Sequence, residues 1–388
     1  MKVIICGAGI AGLSLAWWLG RAGHDILIVE RTPNHRNEGY MIDFFGSGYD
    51  AAELMGLIPE LKQIHYPIPE ISYVDQQGSR VAGLNYALFS RLHQGRLLNF
   101  MRGDLERVLF EALPKAIEIR YNRTIAALEQ QEQHVEVVLS DGTHERADLL
   151  VGADGIHSRV RELVFGAEQQ FMRYLGFHTA AYIFQDQALE RALQGTFALL
   201  NIPNREAGFY PIRGRKVASF FVHRTPHIAL PDSACREIKR TYGDLGWIVP
   251  AALQFCQEHT SIYYDLVAQI EMPRWSQGRV TLVGDACQAV SLLAGQGTSM
   301  AMGGAYVLAH ELQADGPIET RLARYEALVK PAIERKQAIG RQTAEWIVPS
   351  SSWRITARNM ALRLAALPRL SWLLRPALVS GSESVVRP

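Results

Sequence analysis

Three glycines near the start of the chain, in Gly7-Ala8-Gly9-Ile10-Ala11-Gly12, constrain its fold more than any other feature. Residues 2–6 (KVIIC) are short, apolar and β-branched, as a buried parallel strand is. Residues 10–22 are rich in Ala and Leu and read as a helix. Residues 25–29 read as a second strand, closed by Glu30, 18 residues beyond Gly12. A bare G-x-G-x-x-G is weak; between a strand and a helix, with an acidic residue ending the next strand, it marks a dinucleotide site. Gly7 permits the tight turn, Gly9 lets the backbone approach a pyrophosphate, and Gly12 lets helix and strand close on each other. The amides of Ile10 and Ala11 and the positive end of the helix then face the phosphates. Glu30 accepts from ribose hydroxyls, and Arg31 beside it joins the same cofactor-binding set. One Lys before a long apolar run also has the outline of a secretory signal, but glycines at this spacing fit a folded βαβ unit.

A chain of 388 residues has room for two domains. A net charge of +1 excludes the strongly basic face that nucleic acid requires. Cys6, Cys235, Cys256 and Cys287 lack C-x-x-C spacing, so no metal is expected; they read as reduced thiols of a cytoplasmic protein. No other stretch reaches the roughly 18 uninterrupted apolar residues of a membrane span.

Further along, residues 70–74 and 80–84 read as strands about a turn, and residues 102–113 as a helix. Strands follow at 117–121, 125–130 and 134–139. Buried strands at 149–151 and 280–283 each run into a glycine-aspartate turn, Asp154-Gly155 and Gly284-Asp285. Gly295-Gln296-Gly297 opens a helix over 297–312. Between residues 170 and 275 aromatics become dense, and short strands and turns are expected. Residues 318–348 read as helix with a kink at Pro331. Trp353, Leu362, Leu370 and Trp372, among arginines, make the end an amphipathic helical tail, expected to pack on the protein body rather than on a membrane. The expected architecture is α/β: a Rossmann-like dinucleotide-binding domain, an inserted β-rich substrate domain and a C-terminal helical tail. The first comprises residues 1–70, 98–168 and 275–345; the second 71–97 and 169–274; the third 346–388. Three strand-to-turn motifs in one sheet are what a single cofactor across its edge demands.

In these motifs the chain resembles the FAD-dependent aromatic hydroxylases, single-component flavoprotein monooxygenases related to p-hydroxybenzoate hydroxylase. Gly7-x-Gly9-x-x-Gly12, with Ala16 and Gly23, is similar to the first fingerprint of that family. Asp154-Gly155-x-x-Ser158-x-x-Arg161 is similar to the second, and Gly284-Asp285 to the third. The resemblance implies that Asp285 holds the FAD ribityl chain and that Arg102 lies near the flavin. Within the family, residues 263–286 and 295–312 look most like tetracycline-inactivating and polyketide-tailoring flavin monooxygenases. Many members have His, Pro and Asn where this chain has Gln288, Leu292 and Ser299, and an acidic pair where it has Gly303-Gly304.

The resemblance also implies a reaction. NADPH or NADH reduces FAD, O2 gives a flavin hydroperoxide, and an aromatic or polyketide-like substrate is hydroxylated. FAD carries this chemistry, so no catalytic side chain is assigned. The helix-end amides at Gly295, Gln296 and Gly297 support the pyrimidine edge of the flavin, where negative charge develops. Arg36 contacts FAD or nicotinamide phosphate, or is a surface arginine. Phe209, Tyr210, Arg213, Phe221 and His223 are substrate-binding candidates; the alternative for the aromatics is core. Rival functions are a related halogenase or reductase, or a non-catalytic flavoprotein that sequesters its ligand. The W-x-W-x-I-P signature of many halogenases is absent from the sequence.

Overall fold

In the computed structural model, residues 1–34, 40–292, 295–365 and 384–386 are described. A six-stranded sheet forms the base. Lys2–Cys6 lies at its centre, with Leu149–Gly152 then Val280–Leu282 on one side and Asp25–Val29 then Glu118–Arg120 on the other. These five strands are parallel, and Ser276–Gln277 adds an antiparallel edge. Central parallel strands are covered on both faces, which is why Val3, Ile4, Ile5, Leu150 and Val151 are all fully buried. Helices Ile10–Arg21 and Gly297–Gln313 pack together against this core.

A seven-stranded sheet stands beside it, in the order Tyr263–Ile270, Met172–Gln185, Lys216–Arg224, Arg205–Ile212, Phe197–Ile202, Glu70–Val74, Arg80–Asn85. All its pairs are antiparallel except Phe197–Ile202 with Glu70–Val74. Alternation along the strands divides its aromatics between two faces. Phe209, Phe221 and Tyr182 enter a core closed by helices Ala234–Tyr242 and Val249–Gln254. Tyr210, Phe220 and Phe197 point the other way, towards Met41 and Met101. Helices in this aromatic-rich region were not expected from its composition; Ala234–Tyr242 has Cys235, Ile238 and Tyr242 buried on one face. After Glu30 the chain forms the strand Met41–Phe44, paired with Leu98–Met101. The short helix Ser47–Leu54 follows it.

The helix Ile318–Ile347 runs its full length with Pro331 inside it. Beyond it, Ser352–Ala365 lies on the outer edge of the seven-stranded sheet, where Arg358 covers the Tyr73 ring at 4.0 Å and reaches Asn201 Oδ1 at 3.0 Å. Leu370 and Trp372 of the expected amphipathic tail fall outside the described residues. Among the described residues no helix is long and apolar enough to cross a membrane.

Gly12 is irreplaceable on steric grounds: a Cβ there would lie 2.0 Å from the Gly7 carbonyl oxygen. Gly12→Ala should destabilise the protein by about 1–3 kcal/mol, lowering its thermal midpoint by roughly 2–4 °C for each kcal/mol. An unchanged midpoint would contradict the packing described.

Candidate active site

The three strand-end motifs close on one another in pairs. Gly7, at φ +111°, lies so close to the next strand that a Cβ would sit 2.4 Å from the Ala153 oxygen. Gly284 presses on the first helix, where a Cβ would meet the Ala11 methyl at 2.5 Å. The fully buried Arg161 joins the second motif to the third, donating to Ala286 O at 3.0 Å and Ile156 O at 2.7 Å, with Glu168 at 2.9 Å.

Two openings follow from this edge. A narrow cleft runs over Gly7–Gly9, between Glu30, Arg31, Asp154 and Gly155. Glu30 braces its wall, accepting from the Ala8 amide at 2.7 Å and the Thr32 amide at 2.8 Å. Asp154 braces the other, accepting from Ser158 Oγ at 2.5 Å and from the amides of Arg159 and Val160. Burial pushes the Asp154 pKa up, against these bonds. The second opening is a cavity of about 500 Å³ between the two sheets. Its base carries Asp285, Gly295, Gln296 and Gly297; its far wall carries Tyr210, Phe220 and Tyr263. Arg102 borders both openings and is paired with Glu106 at 2.6 Å.

The electrostatics favour a long ligand with anionic parts. The helices Ile10–Arg21 and Gly297–Gln313 both start without a side-chain cap and without an acidic residue in the first turn. Their first amides and positive dipole ends are left for a ligand. The Asp285 carboxylate opens into the cavity but is enclosed by protein, which raises its pKa, with Arg102 opposing. His157 bridges Asp265 of the neighbouring sheet at 3.2 Å and Glu168 at 3.1 Å. Those bonds, with Asp265 foremost, push its pKa up to about 9.

The structure separates the substrate candidates read from the sequence. Tyr210 lines the cavity, its hydroxyl accepting from the Met41 amide at 2.7 Å. Phe209 and Phe221 face the opposite side of the sheet in a closed core, because alternate residues of a strand point opposite ways. His223 is on that side too, beside Tyr242 and 5.7 Å from the His178 ring. Arg213 covers Tyr66 and donates to the carbonyls of Gln63, Ile64 and His65. These four therefore do not line the cavity. Phe220, Tyr40, Tyr263 and Asp43, which do, were not singled out in the sequence; period-two alternation from Tyr210 and Phe221 points to Phe220. Arg36 lies outside the described residues.

The residues at which the sequence departs from the family pattern lie in the core and at the cavity. Gln288 is buried and donates to the Tyr325 hydroxyl at 2.6 Å. It occupies the space over Gly304, where a Cβ would lie 2.6 Å from its amide. Ser299 is buried against Gly48, and Leu292 borders the cavity. The cleft and the cavity, with Arg102 bordering both and the two uncapped helix ends, offer the donors that an elongated anionic ligand such as FAD would need.

Comparison with known proteins decides the family. The FAD binding domain family model matches residues 1–335. A flavin-dependent monooxygenase of an unknown prokaryotic organism is 30% identical over 366 residues, covering 92% of this chain and 94% of that one. The chain is a FAD-dependent monooxygenase. An uncharacterized protein of Mycobacterium tuberculosis (strain ATCC 25618 / H37Rv) is 34% identical over 346 residues, 86% of this chain and 91% of its own. The crystal structure of tetracycline destructase Tet(55) superposes with a TM-score of 0.82 at 27% identity, covering 98% of this chain and 97% of that one. The monooxygenase thus has the aromatic hydroxylase fold, with FAD as its cofactor.

Two outcomes follow for this monooxygenase. Asp285→Ala should weaken FAD binding at least tenfold, since a cavity-facing acceptor is lost; equilibrium dialysis reads this, and unchanged affinity would remove Asp285 from the site. The buried His223 is held down to about 4 by desolvation and then by His178. Its proton is bound by the unfolded chain below pH 6.5 but by the folded one only near pH 4. Stability should therefore be full above pH 6.5 and fall as pH drops towards 4, by about 3 kcal/mol from this group. Urea unfolding of His223→Gln across that range should show a flatter acid limb than the wild type.

Proposed function

We propose that this monooxygenase takes electrons from NADPH or NADH and uses O2 to hydroxylate a flat aromatic or polyketide-like molecule of the tetracycline type. The observation that carries the reading is the cavity of about 500 Å³, with aromatic walls and with Arg102, Asp285 and a bare helix end at its base. A volume of this size suits a drug-sized ligand. The likeness to tetracycline destructase Tet(55) over nearly the whole chain supports the substrate class.

FAD, when bound, supplies the redox chemistry. The backbone of Gly7, Gly9, Ile10, Ala11 and Gly12 holds its phosphates, and Glu30 accepts from the ribose, with Arg31 at the mouth of the cleft. Asp154 and Gly155 form the opposite lip. Asp285 accepts from a ribityl hydroxyl. The amides at Gly295, Gln296 and Gly297 meet the pyrimidine edge of the ring and favour the charge that reduction brings. Arg102, bordering both openings, adds a fixed positive charge at their junction. On the far wall Tyr210 and Phe220 contact a flat ligand and keep water from the reacting atoms.

Purified protein loaded with FAD should oxidise NADPH or NADH in the presence of O2 and of one or more members of a panel of phenols, quinones and tetracyclic polyketides. The product should gain one oxygen atom. Halide-dependent product would instead indicate a halogenase, turnover without O2 a reductase, and stoichiometric ligand protection without O2 uptake a sequestering protein.

A further inference from the structure

A lysine that the motifs do not contain reaches the cavity. Lys336 lies within the helix Ile318–Ile347, is only 5% exposed, and borders the cavity. Its ammonium donates to Gln296 Oε1, at the residue that precedes the helix Gly297–Gln313. Gln296 caps no amide of that helix with its side chain. The lysine therefore meets the helix start from the side, leaving the first amides open to the cavity.

Its surroundings hold it in place. The neighbouring Gln337 is buried and donates to Ile270 O at 2.8 Å and Ala289 O at 3.0 Å. Gln269 returns the contact, donating to Gln337 O at 2.9 Å and Val290 O at 3.0 Å. Arg341 in turn donates to Gln269 Oε1 at 2.9 Å. This stretch of the long helix is thus tied to residues 289–290, which lead into the cavity base. A lysine so fixed cannot swing out to solvent as a surface lysine does. Ammonium groups are almost never fully buried unless paired, and the Gln296 side chain supplies one such partner.

We propose that Lys336 sets the reduction potential of the bound flavin, by placing a full positive charge beside the pyrimidine-end contact made at Gln296. This rests on the placement of that edge against Gly295–Gly297 proposed above. Hydride transfer from the nicotinamide leaves it oxidised and brings a pair of electrons and one proton to the flavin, which gains one unit of negative charge. A fixed cation in a low-dielectric cavity favours that charged form. The uncapped helix end acts in the same direction with a partial charge.

The test measures the two-electron midpoint potential of FAD-loaded protein by dye equilibration, with FAD affinity measured alongside. Lys336→Gln keeps a hydrogen-bond donor for Gln296 and removes the charge. Its reduced-to-oxidised ratio should drop at least tenfold at a given potential, a fall of about 30 mV for a two-electron couple. Lys336→Arg should stay within threefold of the wild type. If Lys336→Gln keeps the wild-type potential, the charge has no such role. A fall in Lys336→Met without one in Lys336→Gln would assign the effect to the hydrogen bond and overturn the proposal, as would an equal fall in Lys336→Arg. The potential needs neither substrate nor O2, so its outcome is separate from that of the substrate assay. A wild-type potential in Lys336→Gln with active substrate turnover would sink only the lysine's role.

Discussion

The site depends on how closely three strand ends approach one another. Gly7 meets the Ala153 carbonyl, Gly284 meets Ala11, and Arg161 spans from Ile156 O to Ala286 O. Each side of this triangle joins a different pair of motifs. At Gly7 and Gly284 a side chain would strike the facing motif, and Arg161 cannot be shortened without leaving buried carbonyls unmet. The closure is what turns three separate turns into one continuous edge. Along that edge the cleft over Gly7–Gly9 continues past Arg102 to Asp285 and the start of the helix Gly297–Gln313.

Local polar contacts complete the edge without occupying it. Glu30 receives the amides of Ala8 and Thr32, and Asp154 those of Arg159 and Val160, which stiffens the cleft walls. The two helix starts, by contrast, carry no side-chain cap. A helix of ordinary structural purpose gains about 1 kcal/mol from a cap. A bare start leaves its first amides without a side-chain acceptor and its positive dipole end exposed.

The second sheet contributes one face to the cavity and the other to its own core. His157, held between Asp265 and Glu168, bridges the dinucleotide edge and this sheet. Tyr210 ties the same sheet to the strand Met41–Phe44 through the Met41 amide. The aromatic wall is therefore fixed relative to the base by specific bonds and not only by apolar contact. Gln288 fills the space over Gly304, and Ser299 that over Gly48.

The sequence by itself determined the dinucleotide edge. Gly7, Gly12, Asp154 and Gly284 obey local rules: a turn, a strand end and a helix start within a few residues, each readable without knowing its neighbours. The parallel strands were legible for the same reason, since burial on both faces leaves continuous apolar runs. The cavity wall was not. Phe209, Tyr210 and Phe221 are alike as residues, and only the placement of the helices Ala234–Tyr242 and Val249–Gln254 decided that Tyr210 faces the cavity while the other two enter a core. His223 was separated from the site by the same choice of face, and Arg213 by its bonds to residues 63–65. Lys336 reached the cavity through a helix that follows every motif, 40 positions along the chain from Gln296. Contacts of that span follow from the packing of whole elements, which no local pattern encodes.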